Sequence, residues 1–206
     1  MKFLFTNFES VWQLFLQHLS MTVIALGIAL LIAIPLGILV SKFQRLYFPV
    51  TGFFGILYTI PSLALFAFLI PVTGLDVQTA IVGLVAYSQM ILIRNVVAAI
   101  KGIDPLMLEA AKGMGMNRGQ VLMKIEIPLA VPVIIAGIRV AAVSTISIGS
   151  VAAWVGAGGL GTLIFDGLYR SYPDKIIAGT VSIAVLAILA DLLFRGIEWM
   201  FRPKMA

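Results

Sequence analysis

The sequence predicts an all-α, polytopic membrane protein in which residues 1–206 form one domain with five transmembrane helices. The mean hydropathy is +1.10, and 11% of the residues are charged, against about 25% in soluble domains. Apolar residues gather in runs long enough for the roughly 20 residues that cross about 30 Å of hydrocarbon. Each run must be helical, because lipid offers no hydrogen-bond partner to a free backbone amide. The five runs are residues 19–40, 48–72, 77–100, 129–157 and 176–200.

The basic residues predict the side of the membrane on which each end of the chain lies. If residues 102–128 are cytoplasmic, ten lysines and arginines face the cytoplasm and three face the outside, which is the bias that membrane proteins show. We therefore expect the N-terminus outside and the C-terminus in the cytoplasm. The ten cytoplasmic positions are Lys42, Arg45, Arg94, Lys101, Lys112, Arg118, Lys124, Arg195, Arg202 and Lys204, and the three outer ones are Lys2, Arg170 and Lys175.

The residues before the first run, 1–18, combine apolar and aromatic positions with few charges. We expect them to form a short helix at the outer interface, where Trp12 and Phe15 would lie among the lipid headgroups. The first run itself is too long for the core of a signal peptide and is followed by Lys42 and Arg45. We therefore expect it to be retained as a transmembrane helix.

Composition and motifs exclude several classes of function. The chain has no cysteine, so a disulfide framework, a thiol catalyst and a thiolate metal site are excluded, and we expect neither catalytic residues nor a metal. The net charge of +5 is explained by the cytoplasmic loops and does not indicate nucleic acid. No Gly-x4-Gly-Lys-[Ser/Thr] loop is present, so the chain cannot itself hold ATP phosphates. Gly156-x-Gly158-x-x-Gly161 matches a dinucleotide-binding pattern only formally, because it follows a transmembrane helix and not a β-strand.

The cytoplasmic segment, residues 102–128, is predicted to begin with a short helix. Asp104 followed by Pro105 is typical of a helix start, and Gly113 or Gly115 should end the helix. Apolar side chains with no core to cover favour docking into a groove of another protein. The alternative is an amphipathic helix that rests on its own bundle or on lipid. The side chains in question are Leu106, Met107, Ala110, Ala111 and Met114.

A second helix should follow the glycine turn of the cytoplasmic segment. Asn117 is suited to the N-cap, and Gln120 stands where a capping box requires it. Pro128 is expected to mark the boundary between this helix and the fourth span. The segment therefore reads as two short helices that project from the membrane.

Polar and aromatic residues within the spans are candidates for a transport pathway. Aromatic rings could attract a quaternary ammonium group, although most membrane aromatics pack or anchor. Small and polar residues on the fourth span suit either close helix packing or a wet face. Pro35, Pro61 and Pro71 should kink or end their helices, which a gate could use. The aromatic candidates are Tyr58, Phe66, Phe68, Tyr87 and Trp154, and those on the fourth span are Ser144, Thr145, Ser147, Gly149 and Ser150.

Three glycines, Gly158, Gly159 and Gly161, follow the fourth span at its outer end. Glycine permits close approach of backbone segments. This outer turn is therefore either a close-packed corner or part of a gate that meets a substrate-binding protein.

Arg139 and Asp191 are charges within predicted spans, where charges are costly and usually paired or functional. Arg139 lies eleven residues after Pro128, and Asp191 lies eleven before Arg202. The two spans run in opposite directions, so both residues should lie roughly 15 Å from the inner boundary, and we expect them to pair within a subunit or across a dimer. A structural clamp is favoured over a proton relay, which would need more acids or histidines. His18, at the outer edge of a span, is not a candidate.

The stretch from residue 109 to 130, EAAKGMGMNRGQVLMKIEIPLA, resembles the EAA motif of ABC importer permeases. That motif is Glu-Ala-Ala, three residues, Gly, nine residues and Ile-x-Leu-Pro, and here only the leucine differs, as Ile127. In that family the first helix of the motif is the coupling helix, which sits in a cleft of the cytoplasmic ATPase subunit. The resemblance therefore implies ATPase coupling for Leu106, Met107, Glu109, Ala110, Ala111, Gly113, Gly115 and Met116.

The resemblance extends over most of the chain, toward osmoprotectant permeases for glycine betaine, carnitine and choline, with methionine-importer permeases as the nearest alternative. It implies a type I importer permease of the bacterial cytoplasmic membrane that forms a pathway with a second permease subunit. The implied partners are a cytoplasmic ATPase dimer that binds ATP and Mg, an extracytoplasmic substrate-binding protein and the lipid bilayer. This chain would hold no cofactor and no nucleic acid. An ion-coupled secondary transporter would need inverted repeats and more intramembrane charges. The similar stretches are residues 60–64, 87–88, 94–95, 112–116 and 158–161.

Overall fold

The computed structural model describes residues 2–201, and within that range the regular structure is entirely helical. Arg202 and Lys204, counted above among the cytoplasmic charges, lie outside the described residues, as does the side chain of Lys2. The α-helices in this range are α1 (Lys2–Thr6), α2 (Phe8–Lys42), α3 (Tyr47–Thr59), α4 (Ser62–Thr73), α5 (Val77–Lys101), α6 (Pro105–Gly113), α7 (Arg118–Val121), α8 (Ile127–Gly149), α9 (Gly161–Tyr169) and α10 (Pro173–Phe201).

Four helices in the described range are long and apolar enough to cross a membrane. They are α2, α5, α10 and a continuous helix over residues 118–149 that contains α7 and α8. The pair α3 and α4 gives a fifth crossing if it counts as one span, and the two helices are bent by 100° at their junction. The all-α fold is thus confirmed, but the second of the five predicted runs is a broken span.

The break in the second run lies at Ile60 and Pro61. Ile60 has an extended backbone, with φ −65° and ψ 129°, because the residue before a proline is disfavoured in the helical region. The Ile60 carbonyl, no longer used by a helix, accepts a hydrogen bond from the hydroxyl of Tyr87 on α5. Pro61 therefore ends a helix as predicted, whereas Pro35 and Pro71 lie inside α2 and α4.

The first span begins further out than the sequence indicated. A separate interfacial helix over residues 1–18 was expected, but α2 begins at Phe8 and runs without interruption to Lys42. No glycine or proline occurs between residues 8 and 18, so nothing local ends the helix there. Trp12 and Phe15 stack on this extension, with ring centroids 5.3 Å apart. Only α1 forms a separate short helix.

Pro128 lies in the first turn of α8, as predicted, but the cytoplasmic segment joins the fourth span without an interruption there. A π-helical turn over Leu122–Glu126 connects α7 to α8, and the Ile127 N–H donates to the Leu122 carbonyl. Because Pro128 has no N–H to donate to the residue four positions earlier, a local π-turn lets the helix continue past it. A movement of the cytoplasmic segment would therefore be carried straight into the membrane.

The central helix of the bundle is α5, which packs against α2 on one side and α8 on the other. More than half of its apolar window, 56%, is buried, against 22% for the outlying α10. Small residues such as Ala33 on α2 and Ala141 on α8 let these helices approach closely around Leu92. The outer end of α10 packs on α9. This arrangement holds α5 and α8 side by side along the membrane.

Candidate coupling segment and transport pathway

The helix α6 begins and ends as the local rules predict. The Asp104 carboxylate accepts a hydrogen bond from the Leu106 N–H at 2.9 Å, and Pro105 is the first helical residue. The helix ends at Gly113, and Gly115 has φ +81°, in the left-handed region that residues with a side chain rarely adopt. The sharp turn after α6 therefore depends on a glycine at position 115.

The turn leads into α7 through a complete capping box. The Gln120 N–H donates to Asn117 Oδ1 at 3.0 Å, and the Asn117 N–H donates to Gln120 Oε1 at 2.9 Å. Both short helices therefore have satisfied N-termini. Local hydrogen bonds give the segment a defined shape although most of it lies outside the core.

Most apolar side chains of α6 point away from the bundle. Leu106 and Met114 are each 70% exposed, and Met107 is 50% exposed. Ala111 differs, since it is only 1% exposed and therefore anchors the segment to the rest of the chain. Among the remaining predicted coupling residues, Met116 is half-buried. The others are exposed, and they are Glu109, Ala110, Gly113 and Gly115. The segment thus presents an apolar, methionine-containing surface that its own bundle does not cover.

Part of the predicted pathway set meets at the broken span. The rings of Tyr58 and Tyr87 meet edge to face, with centroids 5.8 Å apart. Tyr87 is buried, and its hydroxyl donates a hydrogen bond to the carbonyl of Ile60, next to Pro61. Its role is therefore structural. Of the two rings, that of Tyr58 is the exposed one. Ser144 on α8 lines the same narrow gap as Tyr87.

Two other predicted pathway residues, Ser147 and Trp154, are exposed but do not line the gap beside Tyr87. The gap instead contains a buried hydrogen bond that was not predicted, between Ser88 and Thr145, with 3.0 Å between their hydroxyl oxygens. The sequence feature that could have indicated this bond is a serine, Ser88, within the apolar run of α5. This bond ties α5 to α8 at mid-height.

Between this gap and the cytoplasmic end of α5, the helix face that carries Arg94 and Ala98 is exposed. We call it the open face of α5. A cavity of about 410 Å³ lies there, between the start of α3 and the last turns of α5. Its lining residues are Tyr47, Arg94, Asn95, Val97, Ala98 and Lys101. We call this space the basic cavity.

The outer glycine turn connects α8 to α9 through a short 3₁₀ helix. Gly158 and Gly159 have φ +74° and +75°, which explains the need for glycine at both positions. Gly161 has no such backbone requirement, but a β-carbon there would overlap the Ser150 carbonyl. Within the described part of the chain, a helix and not a β-strand precedes the turn.

Two side chains of α2 contact the outer end of α8 and the glycine turn that follows it, and sequence reasoning missed both. Gln17 Oε1 accepts a hydrogen bond from the Gly159 N–H at 3.0 Å. His18, which was set aside as an edge residue, is fully buried, and its Nε2 lies 3.0 Å from the Ile146 carbonyl. That carbonyl lies where α8 gives way to the 3₁₀ turn, so His18 serves as its donor. The contacts join residues more than 120 positions apart, which local patterns cannot show.

Arg139 and Asp191 lie together within one subunit. Arg139 Nε is 3.4 Å from Asp191 Oδ1, and Arg139 Nη1 is 3.2 Å from Glu198 Oε2. Glu198 was not anticipated, although it lies seven residues after Asp191 and hence two turns along the same helix face. A polar cavity of about 470 Å³ adjoins these groups, with Arg195 and Trp199 in its lining.

Removing the carboxylates of both Asp191 and Glu198 is expected to lower the free energy of unfolding by more than the sum of the two single losses. Asp191→Asn or Glu198→Gln leaves Arg139 one acidic contact, so each should cost less than about 1 kcal/mol. The double variant leaves a half-buried arginine without either, which should cost about 2 kcal/mol. Thermal unfolding of the purified chain in lipid measures both. Glu9→Gln, an exposed change on α2, is the control, and strictly additive losses would contradict the prediction.

An ion cluster fixes the corner between α9 and α10 on the outer side. The carboxylate of Asp166 accepts hydrogen bonds from Lys175 and, at 2.7 Å, from Arg170. These cations, Lys175 foremost, hold the pKa of Asp166 below its ordinary value. The stabilisation that ionised Asp166 gives to this corner is therefore present at neutral pH, and it is lost as the pH falls through that lowered pKa.

Four long helices and the broken span of α3 and α4 form a bundle from which two capped helices project, and this is the architecture of a type I ABC importer permease subunit. The fold matches that of a chain in the solved structure titled "Inward facing conformations of the MetNI methionine ABC transporter: CY5 native crystal form", with a TM-score of 0.86 and 23% sequence identity. The match covers 93% of this chain and 96% of that one. At this level of identity it shows a common fold.

Sequence comparisons place the chain within a family. Residues 29–205 match the model of the binding-protein-dependent transport system inner membrane component. The chain is 38% identical over 204 residues to the glycine betaine/carnitine/choline transport system permease protein OpuCB of Bacillus subtilis (strain 168), covering 99% of this chain and 94% of that protein. It is 36% identical to the choline transport system permease protein OpuBB of the same organism, covering 98% and 93%. The chain therefore belongs to this family of inner membrane permeases of ABC importers.

Proposed function

We propose that this chain forms, as a dimer, the transport pathway of an ATP-driven importer for osmoprotectants that carry a quaternary ammonium group. The observation that carries the substrate class is the 38% identity to OpuCB over 99% of the chain. The partners would be an extracytoplasmic substrate-binding protein, a second permease subunit and two ATPase subunits, which bind ATP and Mg. The chain itself supplies the route and no catalytic group.

The exposed surface of α6 supports its proposed docking into the ATPase. When ATP draws two ATPase subunits together, the two α6 helices would move with them. The capped turn at Gly115 and the unbroken helix over residues 118–149 would carry that displacement to Ser144 on α8. Such a movement biases two states of the permease through the nucleotide state of its partner, which is what coupling requires.

The open face of α5 and α8 is the proposed route. It runs from the exposed ring of Tyr58, past Ser144, to the basic cavity. The corresponding face of a second permease subunit would close it from the other side. The outer glycine turn at Gly158, Gly159 and Gly161 lies at the outer end of α8, where the substrate-binding protein would release its cargo.

Uptake into proteoliposomes tests the proposed function. The chain is reconstituted with its ATPase and binding-protein partners, and accumulation of labelled glycine betaine, carnitine, choline and methionine is measured with and without internal ATP. We expect ATP-dependent uptake of the first three. Uptake of methionine alone would favour the methionine importer, and uptake driven by an ion gradient without ATP would reject the class of mechanism.

A further inference from the structure

Arg94 lies near the cytoplasmic end of α5, on the open face of that helix. It lies seven residues before Lys101, the last residue of α5, which places it about 10 Å inside the helix end. It is exposed, and no hydrogen bond or ion pair of its side chain occurs within residues 2–201. An exposed cation without a partner among these residues is a candidate for binding an anionic group.

The basic cavity around Arg94 carries uncompensated positive charge. Lys101 is held there by a hydrogen bond from Nζ to Gln44 Oε1 at 2.8 Å, and the same ammonium lies 5.2 Å from the ring centroid of Tyr47. None of the described residues that line the cavity is acidic. The complementary ligand is therefore an anionic group such as a carboxylate.

Arg139, on α8, shows the contrast with Arg94. Arg139 contacts two carboxylates, those of Asp191 and Glu198, and is thereby neutralised within the subunit. Arg94 faces a cavity of about 410 Å³ instead. The fold neutralises one of the two arginines and leaves the other available to a ligand.

Position along α5 connects the basic cavity to the aromatic pair. Tyr87 precedes Arg94 by seven residues, so both lie on one helix face about 10 Å apart along the axis. The exposed ring of Tyr58 packs against Tyr87. A cation-attracting ring and an anion-binding group therefore follow one another along the route.

We propose that Arg94 binds the carboxylate of a zwitterionic osmoprotectant during its passage, while the quaternary ammonium group lies toward Tyr58. This assignment rests on the proposed function and adds a substrate preference to it. Glycine betaine and carnitine carry both charges. Choline has a hydroxyl in place of the carboxylate, so it gains nothing from Arg94 and is repelled by its charge.

The test compares two substrates in one variant. Maximal uptake rates of carnitine and choline are measured in proteoliposomes with a saturating binding protein that delivers both. Because a hydrogen bond to a charged group contributes about 1.5–3 kcal/mol, Arg94→Gln should lower the carnitine-to-choline ratio about tenfold or more. Arg94→Lys, which keeps the charge but not the planar fork, should restore part of the ratio. Arg45→Gln removes an exposed charge outside the cavity and should leave the ratio as in the wild type.

The ratio does not depend on how much protein folds, so each outcome is decisive. An unchanged ratio, including equal losses for both substrates, overturns the assignment. The assay is repeated in vesicles without anionic lipid, and an effect of Arg94→Gln that disappears there overturns it in favour of a lipid phosphate in the cavity. A wild-type complex that imports neither substrate rejects the proposed function and the site with it.

Discussion

Replacing Gly115 with valine is expected to weaken the stimulation of ATP hydrolysis by substrate. Gly115 has φ +81°, and a β-branched residue held there costs about 1–3 kcal/mol. No heavy atom lies within 4 Å of the position where a β-carbon would be added, so the cost comes from the backbone and not from a clash. The turn would relax and redirect α6 relative to α7. Substrate-stimulated ATP hydrolysis by the reconstituted complex should fall about tenfold or more.

Two companion variants separate backbone conformation from side-chain size at this turn. Asparagine tolerates the left-handed region better than valine, so Gly115→Asn should keep a larger share of the stimulation. Gly113→Ala adds a methyl group two residues away, where space is open and φ is not positive, so its effect should be small. Equal stimulation in the valine variant and the wild type would reject the role of this turn in coupling, as would equal losses in all three variants.

The coupling segment could be predicted residue by residue because its contacts are local. The hydrogen bond from Leu106 to Asp104 and the reciprocal pair of Asn117 and Gln120 each join residues at most three positions apart. Capping rules describe interactions of that range. Pro128 stands in the first turn of α8 as predicted, but it does not interrupt the helix, because a π-turn compensates for the missing donor.

The break at Ile60 shows what hydropathy cannot detect. An apolar window is equally apolar whether its helix is straight or bent, and the hydroxyl that stabilises the break comes from Tyr87, 27 residues away. The same limit applies to His18, whose partner carbonyl at Ile146 is 128 residues distant. In both cases the sequence supplies the polar group, and only the packing supplies its partner.

Substitution of Gly161 by alanine is expected to have the largest effect on stability. A β-carbon there would overlap the Ser150 carbonyl oxygen and lie 2.7 Å from its carbon and 3.0 Å from the Ala153 β-carbon. The obstacle is backbone, which cannot rotate away as a side chain can. The cost should reach the upper end of the range for overpacking, about 3 kcal/mol. Thermal unfolding in lipid should show a large loss, whereas Gly196→Ala, in an open position of α10, should be neutral or stabilising.

The same variant decides between the two interpretations of the outer glycine turn. If the turn is only a close-packed corner, Gly161→Ala lowers the amount of folded chain, and transport per folded complex stays near the wild-type rate. If the turn is part of a gate, transport per folded complex also falls, because Gly161 sets the distance between the end of α8 at Ser150 and the start of α9. Gln17→Ala provides an independent comparison, since it removes the hydrogen bond to Gly159 without adding volume. Loss of rate in both variants at equal folded amounts would establish the gate, and an unfolding temperature of Gly161→Ala equal to that of the wild type would contradict the close approach itself.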